Sequence, residues 1–378
     1  MANTKYTAKS TEQLEKELNE LTESATEKID QFFTSKEAIK EHLRFMSQFY
    51  NFSVRNTLLI QNQFMGATAV GSFQFWKSKG AAVQKGEKGI KILVPTPVHF
   101  FKRDGEDKIV QLKHATEVEK KLIEQGKIRL SKKTFYKVGN VFDYSQTNAR
   151  EKGLEVSEIF SRFQRNDSID NDKHFMKAFE QIGAKMGVRF LEEPPQELGT
   201  AKGAFYRDLN AIALNPRNTP AENIQVMIHE LAHAALHNHE RNHERGKLLT
   251  TPEKEFQAEL TAYVVASRYG IEMDNFSIPY LSNWTKNAKL GDKEQLLNEI
   301  KQTATNFIET IDAHLQKENL LEKGKEIEPF SDNKQTVLQQ EKEKQNVNGV
   351  NAEPAAPVQK KPGRLIRKRK GMEMEMGR

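Results

Sequence analysis

The sequence predicts an α+β protein built from two domains, and three features of the chain carry this prediction. Apolar residues recur at helical spacing over the first 64 residues, and glycine-punctuated segments of strand character follow up to about residue 147. After an irregular polar stretch, amphipathic helices return around one short hairpin. We therefore expect an α+β domain at residues 1–150, a linker at 151–170, a mostly helical domain at 171–320 and a disordered basic tail at 321–378.

Three N-terminal stretches have the spacing of amphipathic helices: residues 10–33, 36–50 and 53–64. In the first of them, Leu14, Leu18 and Leu21 recur every three or four residues, and Thr11 can cap the helix. Ser53 has the side chain of an N-cap for the third helix. The helical spacing then stops, and residues 89–96, 98–101 and 135–144 are predicted strands.

The second domain begins with a predicted helix at 172–187 and a strand at 188–191. A hairpin follows, in which residues 204–206 and 211–214 flank a turn at 207–210. Further helices are predicted at about 221–238, 253–269 and 292–318. Beyond about residue 325 the chain is rich in polar residues, then in proline, then in Lys and Arg, which is typical of a disordered tail.

Composition excludes several classes of function. The 378 residues contain no cysteine, so disulfide frameworks, thiolate zinc fingers, iron–sulfur clusters and cysteine nucleophiles are excluded. Any metal site must use His, Asp or Glu. The sequence has no signal-peptide core and no apolar run that could span a membrane, so we expect a soluble cytoplasmic protein with no membrane partner. The net charge of +6 permits an acidic partner such as nucleic acid.

The strongest motif is His229-Glu230-Leu231-Ala232-His233, which lies in a stretch with a helical apolar stripe. Two histidines four residues apart project from one helix face and can share a metal ion. Glu230 is offset by one residue, so it can reach a water on that metal and act as general base. With ten histidines in the chain, about 0.03 chance matches to HExxH are expected, so the motif predicts a mononuclear zinc site.

A third ligand is needed, and the sequence leaves alternatives open. Glu255 and Glu259 are four residues apart on the next predicted helix and face one direction. We favour Glu255 as the ligand and Glu259 as the residue that orients a ligand histidine, with the reverse order as an alternative. His239 has the metzincin position, but Leu236 stands where that arrangement needs glycine. His239 therefore fits better into the solvated run from His237 to His243.

With this ligand set, the expected cofactor is Zn²⁺, and Mn²⁺ remains possible because two imidazoles and one carboxylate suit either ion. The expected reaction is hydrolysis of a peptide bond, with an extended substrate paired to the strand at 211–214. Tyr206 and Tyr263 are candidates for stabilising the oxyanion, although tyrosines more often pack in a core.

Residues 50–97 combine aromatic side chains with lysines. Aromatic faces can stack nucleic-acid bases while lysines neutralise phosphates, although a small core with a solvated lysine face gives the same composition. The residues that we single out for DNA contacts are Asn56, Trp76, Lys77, Lys85, Lys88 and Lys91.

Three N-terminal segments resemble the single-stranded-DNA-binding domain of ArdC-type antirestriction proteins and similar segments of LtrC-like plasmid proteins. They are NFSVRNTLLI (51–60), ATAVGSFQFWKSKGAAVQKGEKGIKILVP (67–95) and VFDYSQT (141–147). The downstream HELAHAALH and EFQAELTAYVVA segments resemble that family's metallopeptidase half and the wider ImmA/IrrE-type peptidases. The stretch at 107–134 departs from the pattern as an insertion.

The resemblance implies a protein of conjugative elements that binds incoming single-stranded DNA and helps the element escape restriction. It also implies a gluzincin-like centre with His229, His233 and Glu255 as ligands and Glu230 as the catalytic residue. Two alternatives stay open: a DNA-coating protein whose peptidase half is idle, and a peptidase that cleaves a repressor protein. The basic tail either adds unspecific affinity for DNA or is only a solvated extension.

Overall fold

The α+β class predicted from the sequence is confirmed by the computed structural model, which describes residues 10–103, 109–160, 169–246, 248–273 and 289–321. The helices are α1 (Thr11–Phe32), α2 (Lys36–Gln48), α3 (Val54–Gln63), α4 (Phe73–Ser78), α5 (Glu117–Glu124), α6 (Val156–Ile159), α7 (Ile169–Lys185), α8 (Pro220–Leu236), α9 (His239–Arg245), α10 (Thr251–Arg268) and α11 (Leu290–Lys317). The strands are β1 (Val70–Ser72), β2 (Ile90–Lys102), β3 (Ile109–Gln111), β4 (Ser131–Asp143), β5 (Arg189–Leu191), β6 (Gly203–Tyr206) and β7 (Ala211–Leu214).

Two expectations from the sequence fall on residues outside these ranges. The tail from residue 322 onward and residues 161–168 of the expected linker both lie outside the described part of the chain. Among the described helices, none combines the length and the apolar character that a membrane span requires.

Serine caps fix where the first three helices begin. Ser10 caps α1, since its Oγ accepts from the N–H of Gln13 at 3.2 Å while the Gln13 side chain accepts from the N–H of Ser10 at 3.0 Å. The prediction of Thr11 as the cap is therefore wrong by one residue. The Oγ of Ser53 accepts from the N–H of Asn56 at 3.3 Å, which confirms Ser53 as the N-cap of α3.

The N-terminal sheet has the strand order β1-β4-β2-β3, and every pairing in it is antiparallel. β2 is one strand of 13 residues, whereas the sequence predicted two strands that Pro97 would separate. β3 pairs with β2 from Phe100 to Lys102, so no strand in the described part of the chain pairs with β2 at Pro95 and Pro97 on the side opposite β4. A proline is tolerated there because its missing N–H costs no ladder hydrogen bond at an open edge.

The predicted insertion at 107–134 lengthens this sheet. β3 adds a short fourth strand, and α5 follows with a capping box between Thr116 and Glu119. β4 then begins at Ser131, four residues before the predicted start, and pairs with β2 up to Phe100. The insertion thus turns the β2–β4 pair into a long ribbon.

A second sheet of three strands has the order β5-β7-β6, with β5 parallel and β6 antiparallel to β7. The predicted turn between β6 and β7 is confirmed, since Asn210 ends it with a φ of 43° in the left-handed region. β7 is therefore the central strand and β6 an edge strand among the described residues.

The largest hydrophobic cluster contains helices from both sides of the expected linker. Its fully buried members include Leu43 of α2, Phe175 of α7, Leu231 of α8, Val265 of α10 and Ile308 of α11. An ion pair of 2.6 Å between Arg55 of α3 and Glu294 of α11 connects these two helices at the surface. Because α8 and α10 are packed into this core, the backbones of the residues that face each other between the two helices are held at fixed positions.

Candidate metal centre

The motif helix α8 begins at a capping box, in which the side chain of Thr219 and that of Glu222 satisfy each other's backbone N–H. Pro220 follows in the first turn, where its missing N–H costs nothing. Ile224, Ile228 and Leu231 are buried in the main cluster. This buried stripe leaves His229 and His233, four residues apart, on a half-buried face of the helix.

The second helix of the site is α10, which also starts at a capping box, between Thr250 and Glu253. Phe256 and Leu260 are buried in the main core, and this orientation turns Glu255 and Glu259 towards the histidines of α8. The two glutamates extend from adjacent turns, as their four-residue spacing predicted.

Three potential ligand atoms converge between the two helices. Nε2 of His229 and Nε2 of His233 are 3.0 Å apart, and Oε2 of Glu255 lies 3.4 Å from each of them. His229, His233 and Glu255 form the group of His, Asp and Glu that could hold a metal ion among the described residues. The Glu255 side chain is 56% exposed, so the site opens to solvent.

Glu259 contacts the other ring nitrogen of the first histidine, with Oε2 3.3 Å from Nδ1 of His229. A carboxylate in this position receives the Nδ1 proton of a neutral imidazole and leaves the Nε2 lone pair for a metal. Glu255 therefore lies against the two Nε2 atoms and Glu259 against Nδ1 of His229, and their roles as ligand and orienting residue stay a prediction.

The electrostatics of this cluster favour a cation. Burial by itself lowers the pKa of His229, but hydrogen bonds to Glu255 and Glu259 and the charge of Glu230 outweigh burial and raise its pKa to about 10. Hydrogen bonds from His229 and His233 hold the pKa of Glu255 well below its usual range. In the absence of a metal, Glu255 and Glu259 therefore hold a proton on His229.

Glu230 is 8% exposed, and burial raises the pKa of its carboxyl group, which the charges of His229 and His233 counteract. The backbone N–H of Phe205, on β6, donates a hydrogen bond to this carboxylate. The edge strand of the second sheet therefore lies next to the candidate general base.

The position of β6 corrects one prediction. The strand at 211–214, expected to pair with an extended substrate, is the central strand β7, and both of its edges are already paired. An added strand requires an open edge, so the prediction for 211–214 is wrong. Among the described strands, β6 has an edge that no strand pairs with, and its Phe205 contacts Glu230.

The remaining candidates from the sequence are His239 and two tyrosines, which differ in their exposure and surroundings. His239 is exposed on the first turn of α9 and is not a member of the converging group. Tyr263 is 5% exposed and belongs to the main core. The hydroxyl of Tyr206 is buried and has no hydrogen-bond partner in the described part of the structure.

Sequence reasoning missed a buried polar line behind His233. His237 was placed in a solvated run, but it is 2% exposed, and Nδ1 of His237 lies 3.0 Å from Nδ1 of His233. Nε2 of His237 lies 3.0 Å from Oε1 of Gln257, which is 1% exposed. The four-residue step from His233 to His237 was the available signal, since it places both side chains on one helix face.

Two of the residues proposed for DNA contacts are buried in the N-terminal domain. Trp76 is fully buried, and its Nε1 donates to the carbonyl of Phe142 at 2.8 Å. Asn56 is 2% exposed, and its amide donates to the carbonyl of Leu93 and accepts from the N–H of Leu93. Neither side chain offers a face to a base, so both expectations of DNA contact are corrected to packing and strand anchoring.

The proposed lysines lie at the surface, and Lys77, Lys85 and Lys88 are exposed. Gln146 fixes the backbone next to Lys88, since its amide donates to the carboxylate of Glu87 and to the carbonyl of Lys88 at 2.9 Å each. Lys91 is also exposed, but its Nζ pairs with Glu17 at 2.6 Å. DNA contacts by these lysines stay a prediction.

Two family models match separate segments of the chain. Residues 6–142 match the family described as the N-terminal domain of anti-restriction factor ArdC. Residues 184–270 match the IrrE N-terminal-like domain of the peptidase families. The uncharacterized Bacillus anthracis protein pXO2-81 is 35% identical over 343 residues, which cover 86% of this chain and 57% of that protein. This chain thus spans little more than half the length of that relative.

Two crystal structures of antirestriction ArdC protein from R388 plasmid also match. The metal-free structure has a TM-score of 0.42 at 16% identity and covers 70% of this chain and 85% of its own. The Mn(II)-bound structure has a TM-score of 0.36 at 16% identity and covers 69% and 83%. Together, the two family matches indicate that an ArdC-type N-terminal domain is followed in this chain by an IrrE-like domain of a peptidase family.

Proposed function

We propose that the chain is a zinc-dependent peptidase of the gluzincin type, fused to a domain that binds single-stranded DNA. One observation carries the peptidase half: two imidazole nitrogens and one carboxylate oxygen converge to within 4.8 Å of one another at a solvent-open site. Zinc takes three such protein ligands and keeps a fourth position for water in catalytic sites.

The roles of the surrounding residues follow from their contacts. His229, His233 and Glu255 would hold the zinc ion, which would supply Lewis-acid activation of the attacking water. Glu230 takes the proton of the attacking water and passes it to the leaving amine, and its burial supports this exchange because burial makes the carboxylate more basic. Glu259 orients His229. Manganese fits the same ligands, and zinc is proposed because it binds nitrogen ligands more tightly.

The substrate that suits this geometry is an extended peptide laid along β6. The N–H of Phe205 already donates to Glu230, which brings the open edge of β6 to the base. An extended strand would gain backbone hydrogen bonds at that edge while its scissile bond faces the ligand atoms.

The DNA-binding half of the proposal is supported by a surface on β4. We name residues 131–137 the β4 ribbon; all seven are exposed, and they include three lysines and two adjacent aromatic residues. Phe135 is 42% exposed and Tyr136 53%, and the Nζ of Lys133 lies 5.3 Å from the centre of the Phe135 ring. Exposed rings among lysines match the requirement of a single strand for stacking and charge neutralisation. Buried Trp76 does not meet that requirement.

The peptidase half is tested with the Glu230→Gln variant, which keeps the shape of the side chain but cannot accept a proton. We expect zinc binding to persist while zinc-dependent cleavage of a denatured protein substrate is lost. His243→Ala, which removes an exposed histidine of α9, is the matched control. Equal cleavage by Glu230→Gln would remove the general-base role. Full protection of transferred DNA by Glu230→Gln would instead favour a DNA-coating protein with an idle peptidase half.

The DNA half is tested by fluorescence anisotropy with a labelled single-stranded oligonucleotide and a duplex control. Phe135→Ala and Tyr136→Ala should each weaken binding of the single strand by about 1–3 kcal/mol. Replacing Lys132, Lys133 and Lys137 by serine should reduce the steepness of the plot of log binding constant against log salt concentration by about 0.7 per lysine. Leu209→Ala, at an exposed apolar residue of the C-terminal hairpin, is the control. Unchanged affinity in every one of these β4 ribbon variants would place the DNA site elsewhere.

A further inference from the structure

A continuous line of hydrogen bonds runs from His233 through the core to the charged pair of Glu299 and Arg245. His233, His237, Gln257 and Glu299 follow one another at 3.0, 3.0 and 2.7 Å. We call these four residues the Glu299 relay. They come from three helices, because His233 and His237 belong to α8 and its C-terminal cap, Gln257 to α10 and Glu299 to α11.

The direction of every hydrogen bond in the relay is set at its far end. Arg245, whose side chain is 4% exposed, donates to both carboxylate oxygens of Glu299 at 2.9 and 3.3 Å. The arginine keeps this carboxylate ionised, so Glu299 can only accept from Gln257. The amide nitrogen of Gln257 therefore faces Glu299, and the amide oxygen faces Nε2 of His237.

The order of donors and acceptors also determines which nitrogen carries the proton in each of the two imidazole rings. Since Oε1 of Gln257 can only accept, Nε2 of His237 must carry a proton, and in the neutral ring Nδ1 is then an acceptor. His233 must donate from its own Nδ1 to that acceptor, which leaves Nε2 of His233 without a proton. The opposite tautomer of His233 would set Nε2 of a neutral His237 against Oε1 of Gln257 as two acceptors 3.0 Å apart. A doubly protonated His237 would bury a positive charge at a residue that is 2% exposed, and burying a charge is costly.

We propose that His237 and Gln257 are positioning residues that hold His233 in the tautomer with its proton on Nδ1, so that Nε2 is offered to the metal. The inference rests on the proposed metal centre. His229 is oriented independently by Glu259, at 3.3 Å from its Nδ1. The two histidines of the motif are thus oriented by separate groups. Glu259 orients His229, and the Glu299 relay orients His233.

The first readout is metal affinity, measured on the full chain by competition between the protein and a chromophoric zinc chelator. Gln257→Leu removes the relay without touching a histidine, and we expect it to weaken zinc binding about 10- to 100-fold. Gln225→Leu is the matched control, because this glutamine of α8 donates to the carbonyl of Glu272 and has no contact with the relay. Wild-type affinity in Gln257→Leu would overturn the proposal.

The second readout is the tautomer itself, read from ¹⁵N chemical shifts of the histidine rings in the metal-free protein. Wild-type His233 should carry its proton on Nδ1, and Gln257→Leu should shift the population towards Nε2. The double variant Gln257→Glu with Glu299→Gln exchanges acceptor and donor and keeps the charge, so it should restore both the tautomer and the zinc affinity. Failure of that restoration, with the fold intact by circular dichroism, would show a role in packing alone.

These outcomes separate the inference from the function on which it rests. If the wild-type chain binds no zinc in the competition assay, the metal centre itself fails. If it binds zinc, and Gln257→Leu binds it equally well, only the relay fails.

Discussion

Replacing Trp76 distinguishes a ring that holds the fold from a ring that contacts DNA. Trp76 is fully buried and lies in a cluster with Ala81, Ala149 and Ile159. Its Nε1–H donates to the carbonyl of Phe142 at 2.8 Å. Removing the side chain would therefore leave both a cavity and an unpaired carbonyl.

Two substitutions separate the cost of the cavity from the cost of the lost hydrogen bond. Trp76→Ala should lower the free energy of unfolding by about 3–5 kcal/mol, the range for large aromatic side chains in cores. Trp76→Phe keeps most of the ring volume and loses the hydrogen bond to Phe142, which should cost about 1–3 kcal/mol. Since whole-protein stabilities are about 5–15 kcal/mol, Trp76→Ala risks unfolding, and Trp76→Phe is the variant to compare.

Urea denaturation followed by circular dichroism measures the stability of Trp76→Phe, and fluorescence anisotropy measures its affinity for single-stranded DNA well below the denaturation midpoint. We expect a lower urea midpoint and unchanged DNA affinity. A stacking contact is worth about 1–3 kcal/mol, which is about 5- to 150-fold in affinity. That value refers to replacement by alanine, and phenylalanine can still stack, so any loss of DNA affinity in Trp76→Phe at unchanged stability would refute the assignment of Trp76 to the core.

Three further outcomes follow from the structure. Zinc at about 100 times its dissociation constant should stabilise the protein by about 2.7 kcal/mol, or about 3–5 °C in the melting temperature of a chain of this length, and Glu255→Gln should abolish the shift in differential scanning calorimetry. The metal-free protein should lose stability as the pH rises from about 6.5 to about 10, because protonated His229, with its pKa raised to about 10, stabilises the fold fully only below its unfolded value of 6.5. Urea midpoints measured with a chelator check this trend, and a flat profile would contradict it. Asn56→Leu should cost about 2–5 kcal/mol in urea denaturation, since it leaves the N–H and the carbonyl of Leu93 unpaired, whereas a loss below about 1 kcal/mol would mean that water replaces the amide.

Local patterns carried the predictions that the structure confirms. The period of apolar residues locates α8 and α10, because a helix that packs by one stripe must repeat that stripe every three or four residues. Side-chain caps and turns act within three residues of their own position, so Ser53 and the turn ending at Asn210 were readable too. The spacing of Glu255 and Glu259 predicted that both would face one way.

Contacts between distant segments were outside the reach of those patterns. Burial of Trp76 depends on the carbonyl of Phe142, 66 residues away, and an interleaved pattern of lysine and aromatic residues does not distinguish a core from a binding face. β7 is central because β5 and β6 arrive on both sides of it, which its own residues do not encode.

By itself, the sequence predicted α8 and α10, the N-cap of α3 and the His and Glu side chains that meet between α8 and α10, since these depend on residues within about one helical turn. Only the tertiary structure decided that Glu255 meets both imidazoles and that Glu259 meets the first. It also decided that His237 and Gln257 connect His233 to Glu299. The physical reason is that a hydrogen bond across 20 to 42 residues requires α8, α10 and α11 to pack at fixed distances, and the shared hydrophobic core sets those distances.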